Sequence, residues 1–178
     1  KIRARTSARP TLILVGTGPD EADLKRQTEA LGLTDAVTFG GAMNARVAFQ
    51  RGRIMVVPSR AESLPYVVLE AAGAHVPLVS TNAGGIPEIF GPLGHRLFDH
   101  GDADLLAERM FAALEASPET RAREAQELYD YVSAHFTLAN MTDKVLGAYR
   151  DAIATRDART SGRPSSPKPG SISFSPKV

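Results

Sequence analysis

The sequence predicts an α/β fold built on a doubly wound parallel sheet, and three observations carry that expectation. Continuous apolar runs recur at residues 11–15, 36–39, 54–57 and 77–80, the pattern of short strands covered on both faces. Helical stretches separate them, so strand and helix alternate as a parallel sheet requires. Each run ends in a loop rich in Gly, Pro, Ser or Asn. The loops at Gly16, Gly40, Glu62 and Gly84 should therefore share the carboxyl edge of the sheet, where such folds bind ligands.

Composition sets the bounds. A chain of 178 residues with 43% hydrophobic content suits one soluble domain with a real core. A net charge of +1 argues against a general nucleic-acid or membrane-surface binder. The absence of cysteine excludes a disulfide framework and a thiolate-ligated metal, and it fits a reducing compartment. No apolar run approaches the length of a membrane span, and the basic start, Lys1 to Arg5, has no apolar segment behind it. The domain is expected over 1–154. From Thr155 to Val178 the composition shifts to Ser, Pro, Gly, Arg and Lys, which predicts a disordered tail.

Taken in order, residues 1–9 read as the end of a surface helix that Pro10 closes. The first strand then turns through Gly16-Thr17-Gly18-Pro19-Asp20 into a helix ending near Leu31, with Gly32 as its stop. The third glycine of a dinucleotide fingerprint would fall on Glu21, so this turn is a tight strand-to-helix connection at least as readily as a cofactor loop. Gly40-Gly41 ends the second strand and lets a backbone approach something closely. Asn44 caps a short helix to about Gln50. Asn82-Ala83-Gly84-Gly85 reads as a flexible turn into a helix starting at Ile86-Pro87-Glu88, and residues 96–98 as a last short strand. Asp102 or Asp104 opens a helix with Leu106, Met110 and Leu114 in one stripe. Ser117-Pro118 starts another, reaching about His135. A third, from about Leu138 to Ala154, should carry Met141, Val145, Ala148 and Tyr149 on its inner side.

The most informative stretch joins the third strand to the next helix. The strand stops at Pro58. Ser63 can cap, Pro65 sits near the first helical position, and Tyr66 to Ala74 are compatible with a helix. A helix N-terminus carries unpaired N–H groups and about half a positive charge, and so suits a phosphate. Glu62 lies before that point and Glu70 beyond it, so the two carboxylates could take hydroxyl-rich groups at either end of a diphosphate. Arg60 could reach a phosphate, or be a solvated loop arginine. Two glutamates eight apart mean little alone, since ordinary composition supplies such a pair roughly one time in fifteen.

Other signals reduce to structure. Asp102-Ala103-Asp104 precedes an amphipathic helix, where Asp residues cap the first turn, so no metal is expected there. His75, His95, His100 and His135 show no metal-ligand pairing and suit surface or packing roles. No Gly-x-Ser-x-Gly nucleophile arrangement appears.

The order of motifs changes the weight of the glutamate pair. Pro58-Ser59-x-x-Glu62, Leu64-Pro65, Leu69-Glu70-Ala71, Val76-Pro77-Leu78-Val79 and Gly84-Gly85-Ile86-Pro87-Glu88 closely resemble the donor half of GT-B retaining glycosyltransferases of the GT4 type, with their Glu-x7-Glu signature. The resemblance covers about residues 1–155. It implies a Rossmann-like nucleotide-sugar-binding domain whose donor is a nucleotide-diphosphate sugar, with no further cofactor and no metal. It implies that Glu62 is the catalytic carboxylate at the donor sugar and that Glu70 binds the ribose. Backbone groups near Ser63, Leu64, Tyr66 and Val67 would hold the diphosphate, and Gly16, Gly18, Gly40, Gly41 and Arg60 would line the nucleotide side. The acceptor would be a saccharide or a lipid-linked sugar, and the setting bacterial polysaccharide assembly at the cytoplasmic membrane face.

Departures from the family pattern bear on activity. The family's basic pair that grips the diphosphate lies one strand and one helix before the residue 11–15 strand, and its amino-terminal acceptor domain lies earlier still. These would come in cis or in trans, and this chain alone is expected to be inactive. Pro65 stands where the family often has Gly, which removes one N–H from the phosphate nest. His75 stands where the family has the helix-ending glycine. The alternative from another class is a nucleotide-sugar-binding module with no turnover of its own.

Overall fold

Two parallel strand pairs organise the first compact unit, Lys1–Thr137, of the computed structural model, which describes residues 1–161. β1 (Leu12–Val15) pairs with β2 (Val37–Gly41), Leu12 opposite Val37. β3 (Met55–Val57) pairs with β4 (Leu78–Ser80), Met55 opposite Leu78. All four strands lie within the apolar runs or a residue or two of them, and the parallel α/β class holds. Among the described residues the strands pair as two separate parallel ladders, and no strand pairing joins β1 to β3. The strand expected at 96–98 shrinks to a single parallel bridge between Thr81 and Phe98. The cause lies just before it, where Gly91–Arg96 wind as a 3-10 turn and leave too little extended chain to form a ladder.

The helices follow their caps. α1 (Glu21–Ala30) gives way to Gly32 at φ +64°. α2 (Ala45–Phe49) begins where the Asn44 side chain accepts from the Arg46 N–H at 2.9 Å. α3 (Tyr66–Gly73) and α4 (Ile86–Phe90) follow β3 and β4. α5 (Ala103–Glu115) is capped by Asp102, not Asp104; its Oδ1 accepts from the N–H groups of Asp104 and Leu105 at 2.9 Å each. Ser117 caps α6 (Pro118–His135), accepting from the Thr120 N–H at 3.1 Å. At the amino end the expected surface helix is absent. Only Ile2–Ala4 form a 3-10 turn, and Thr6 Oγ1 takes the Ala8 N–H at 3.1 Å, a local bond that competes with helix continuation.

α3 and α4 press on α6 to make the core. Val68, Ile86 and Ile89 are 0% exposed, and each such side chain contributes about 1.5–3 kcal/mol on burial. Leu128 and Val132 of α6 close the cluster from the other side.

α7 (Leu138–Ser161) belongs to a second unit, Leu138–Val178. It runs seven residues past the boundary expected at 154, and residues 162–178 of the expected tail lie outside the described residues. Met141, Val145 and Tyr149, expected to face inward, are 52%, 46% and 65% exposed. Periodicity defines an apolar face but does not supply the surface that covers it. Among the described residues no helix is long and apolar enough to cross a membrane.

The end of α3 tests the chain's least usual residue choice. Ala74 is the C-cap, and His75 follows at φ +54°. The His75 N–H bonds the Ala72 carbonyl and the Val76 N–H bonds the Ala71 carbonyl, the paired bonds of a Schellman ending. A left-handed histidine costs about 1 kcal/mol, but its ring stacks on Tyr129 with centroids 4.1 Å apart, a contact worth about 0.5–1.5 kcal/mol. Glycine at 75 would relieve the left-handed strain and lose the stacking, so His75→Gly should be near neutral. Gly73 has open space where a Cβ would sit, and Gly73→Ala should stabilise by about 0.5–1 kcal/mol in urea denaturation.

The α5 cap makes a pH prediction. Hydrogen bonds from the Leu105 and then the Asp104 N–H hold the Asp102 carboxyl below its ordinary range. A depressed folded value means the cap stabilises above the unfolded pKa and loses its contribution as pH falls through the folded one. Asp102→Asn should thus flatten part of the stability loss below about pH 4, measured as thermal midpoint against pH.

Candidate active site

The site grows from the point where β3 stops. The Val57 carbonyl accepts the Thr81 N–H at 3.1 Å, the last bond of the β3–β4 ladder region. Pro58, without an N–H, ends pairing there. Thr81, 2% exposed, turns its hydroxyl back to donate to the Ser59 carbonyl at 2.7 Å. The Ser59 hydroxyl then donates to Glu62 Oε1 at 2.7 Å. A relay of two hydroxyl side chains thus fixes a half-buried carboxylate from the end of β4. Glu62 Oε2 makes no hydrogen bond to the described residues.

The following loop fixes Glu62 from behind. Gly85 donates its N–H to the Ser63 carbonyl at 2.7 Å. Gly84, at φ +52°, lies so close that an added Cβ would come within 3.0 Å of the Glu62 carbonyl oxygen; one at Gly85 would do the same to Ser63. The turn read as flexible is therefore a tight backbone-on-backbone contact. Glycine is required at 84 both by the left-handed φ and by space.

α3 starts immediately beyond. Its N-cap is Pro65, not Ser63, and no side chain caps it. The physical reason is steric: the residue before a proline is pushed out of helical conformation, so Leu64 cannot join the helix. The Ser63 carbonyl is spent on Gly85 instead. Leu64 packs against the core, and Pro65 is buried. Tyr66 and Val67 hold the first-turn N–H groups that lack intrahelical partners, and their residues are 73% and 37% exposed. Glu70 is exposed on the same helix, roughly 6 Å along the axis from Tyr66.

The glycines on the β1–β2 side divide. Gly16, at φ +128°, donates to the Gly41 carbonyl at 2.8 Å, and Gly41 is at φ +64°. These two join the loops after β1 and β2. Gly18 accepts from the Glu21 N–H at 3.2 Å and starts α1. Gly40 is closed by neighbours, because a Cβ there would meet Met43 Cε at 2.7 Å and Ile13 Cγ2 at 3.2 Å. What approaches the Gly40 backbone is thus its own domain. Arg60 is exposed and makes no ion pair among the described residues.

Sequence reading named Glu62 and its loop but missed Ser59, Thr81 and Gly85 as its supports. Ser59 stood three residues before Glu62 and was legible as a partner. The Thr81 contact spans 22 residues and needs the strand pairing to appear.

These features define the class. HepE of Anabaena, solved in complex with UDP, matches with a TM-score of 0.70 at 22% identity, covering 84% of this chain and 43% of that one. The fold is that of the GT-B glycosyltransferases. A family model described as glycosyl transferases group 1 matches residues 1–116, and the chain belongs to that family. D-inositol 3-phosphate glycosyltransferase of Mycobacterium leprae is 31% identical over 176 residues, 89% of this chain and 40% of that protein. A Vi polysaccharide biosynthesis protein of Salmonella typhi is 30% identical over 148 residues, 81% of this chain and 25% of that protein. The chain thus spans well under half the length of these relatives.

The glycine contact makes a stability prediction. Gly84→Ala must open the Glu62 backbone and strain φ, and should cost about 1–3 kcal/mol. Gly94→Ala, with open space at its Cβ, is the control expected to change little. Thermal melts of the two variants decide it.

Proposed function

We propose that this chain is the donor-binding part of a retaining glycosyltransferase, taking a nucleotide-diphosphate sugar and serving transfer to a saccharide or lipid-linked acceptor. The observation that carries the reading is the Glu62 carboxylate, held by Ser59 at 2.7 Å beside the open first turn of α3. The N–H groups of Tyr66 and Val67 meet the diphosphate, one fewer than a glycine at 65 would allow. Glu70, a turn further, accepts from the ribose hydroxyls. Glu62 accepts from hydroxyls of the donor sugar and steadies charge at the anomeric carbon as the diphosphate departs. Catalysis is positioning and electrostatic stabilisation. Gly16, Gly18 and Gly41 line the nucleotide side, with Arg60 free to reach a phosphate.

The reading assigns no metal or further cofactor. Both contacts made by Asp102 Oδ1, in the Asp-x-Asp pair, are to backbone N–H groups of α5. The setting assigned is bacterial polysaccharide assembly at the cytoplasmic membrane face; the polysaccharide part is supported by the relative of Salmonella typhi, described as a Vi polysaccharide biosynthesis protein. An amino-terminal acceptor domain completes the enzyme, in cis or in trans. Residues 1–178 alone should bind nucleotide weakly and transfer no sugar. Robust transfer by that chain would overturn this assignment.

The glutamate roles separate kinetically in the complete enzyme. Glu70→Ala should weaken nucleotide-sugar and free nucleoside diphosphate alike, roughly ten- to hundredfold. Glu62→Ala should leave nucleoside diphosphate affinity near the parent value and lower kcat by a similar factor or more. Titration calorimetry beside steady-state kinetics reads both. Equal losses of nucleotide affinity in the two variants would refute the division of labour, and binding without turnover by the parent would favour a module.

A further inference from the structure

The stretch Ser59-Arg60-Ala61-Glu62 has the spacing of a capping box, in which a Ser and a Glu each bond the other's backbone N–H. A capping box needs a helix to open, and none starts here. Residues 58–65 are irregular, and α3 begins at Tyr66. The two side chains bond each other instead, the Ser59 hydroxyl donating to Glu62 Oε1 at 2.7 Å. The pair therefore satisfies no backbone group and begins no element. Its product is a carboxylate held in one orientation.

The placement of the loop does not need that bond. The Ser59 carbonyl takes the Thr81 hydroxyl at 2.7 Å, and the same hydroxyl lies 3.3 Å from the Val57 carbonyl. One group on β4's exit thus spans both sides of Pro58. Beyond Glu62, Gly85 holds the Ser63 carbonyl at 2.7 Å, and Gly84 lies against the Glu62 backbone. The Ser59 hydroxyl has no part in any of these contacts. Taking it away removes a restraint on one carboxylate and leaves the loop where it is.

That restraint is a strong one for its size. A glutamate side chain has several rotatable bonds and loses much of their freedom when its carboxylate is tied. An O–H···O⁻ bond of this length is charge-assisted. Only Oε1 is tied, and Oε2 bonds nothing among the described residues. Orientation is what catalysis by positioning draws on, since a misplacement of about 1 Å can cost on the order of a hundredfold.

We propose that Ser59 is the positioning residue for Glu62: its hydroxyl binds one carboxylate oxygen before substrate arrives and so presents the other to the donor sugar. Thr81 acts one step further back, holding the Ser59 carbonyl so that the hydroxyl meets Oε1. Ser59 does not touch substrate, and its whole effect passes through Glu62. The inference rests on the reading of Glu62 as the donor-sugar carboxylate, and its tests separate the two.

The restraint itself is read by NMR on residues 1–178 without substrate. Three-bond couplings about the Glu62 Cα–Cβ bond should report one dominant rotamer in the parent, averaging in Ser59→Ala, and one rotamer again in Ser59→Thr. The Gly84 and Gly85 amide signals should stay in place in all of them. Averaging in the parent, or none in Ser59→Ala, overturns the proposal. Turnover is read in the complete enzyme as nucleoside diphosphate release, with water as acceptor, from a panel of UDP- and GDP-linked hexoses and N-acetylhexosamines. On the donor that the parent uses, Ser59→Ala should lower kcat roughly tenfold with KM within about twofold, and Ser59→Thr should recover most of it. In a Glu62→Ala background the same Ser59→Ala change should move kcat by less than about twofold, because nothing is left for it to act through. Additive losses would mean that Ser59 meets substrate itself, and would overturn the positioning role. A loss in Glu62→Ala with none in Ser59→Ala overturns it too, and leaves the reading of Glu62 standing. A parent that uses no donor of the panel, or a Glu62→Ala variant as fast as the parent, overturns that reading and this inference together.

Discussion

The contact of Gly84 and Gly85 with the backbone of Glu62 and Ser63 is the constraint on which the rest of the site depends. It locks the loop after β3 to the loop after β4 with one hydrogen bond and no side chain between them. Any Cβ at either position would push the two loops apart. Because the contact is made by backbone, it places the loop without engaging the Glu62 side chain, whose Oε1 accepts from the Ser59 hydroxyl. Thr81 performs the same service on the other side of the loop. The loop is therefore fixed by backbone contact, and the proposed role of Glu62 would draw on that fixed placement, as electrostatic preorganisation requires.

Much of this was legible in the sequence. The apolar runs located all four strands because strands covered on both faces cannot alternate with polar residues. Asn44, Ser117 and Asp102 announced their helices because capping is a local matter of one side chain and the next two or three N–H groups. The Glu62-to-Glu70 spacing emerged because a helix start and two carboxylates fall within one short stretch. What stayed hidden depended on distance. The break between β1 and β3 is a property of neighbours, and no single run reveals which strand lies beside it. The role of Thr81 appears only after β4 is laid beside β3. The exposed stripe of α7 was read as inward because amphipathicity specifies a face without naming its partner.

His75 illustrates how a residue that breaks a local rule can be repaid elsewhere. Viewed along the chain it is a poor substitute for glycine at a left-handed helix end. Viewed in the fold it lies flat on Tyr129 of α6, and so ties the end of α3 to the helix it already packs against. The strain and the stacking are of similar size, and the position is close to balanced. Gly73, one turn of thought away, has no such compensation, and its open surroundings show only a loss of helix propensity.

The pairing pattern also shapes how the unit can assemble. Each strand finds its partner within about two dozen residues along the chain, with a single helical segment between or beside them, so both ladders close through short loops at small entropic cost. Neither pair waits on the other for its hydrogen bonds. As the polypeptide emerges from the ribosome, β1 and β2 can therefore zip together before β3 has been synthesised, and the later pair can form around the α3–α4 core in its own time. The unit is thus divided in time by the same line that divides it in space.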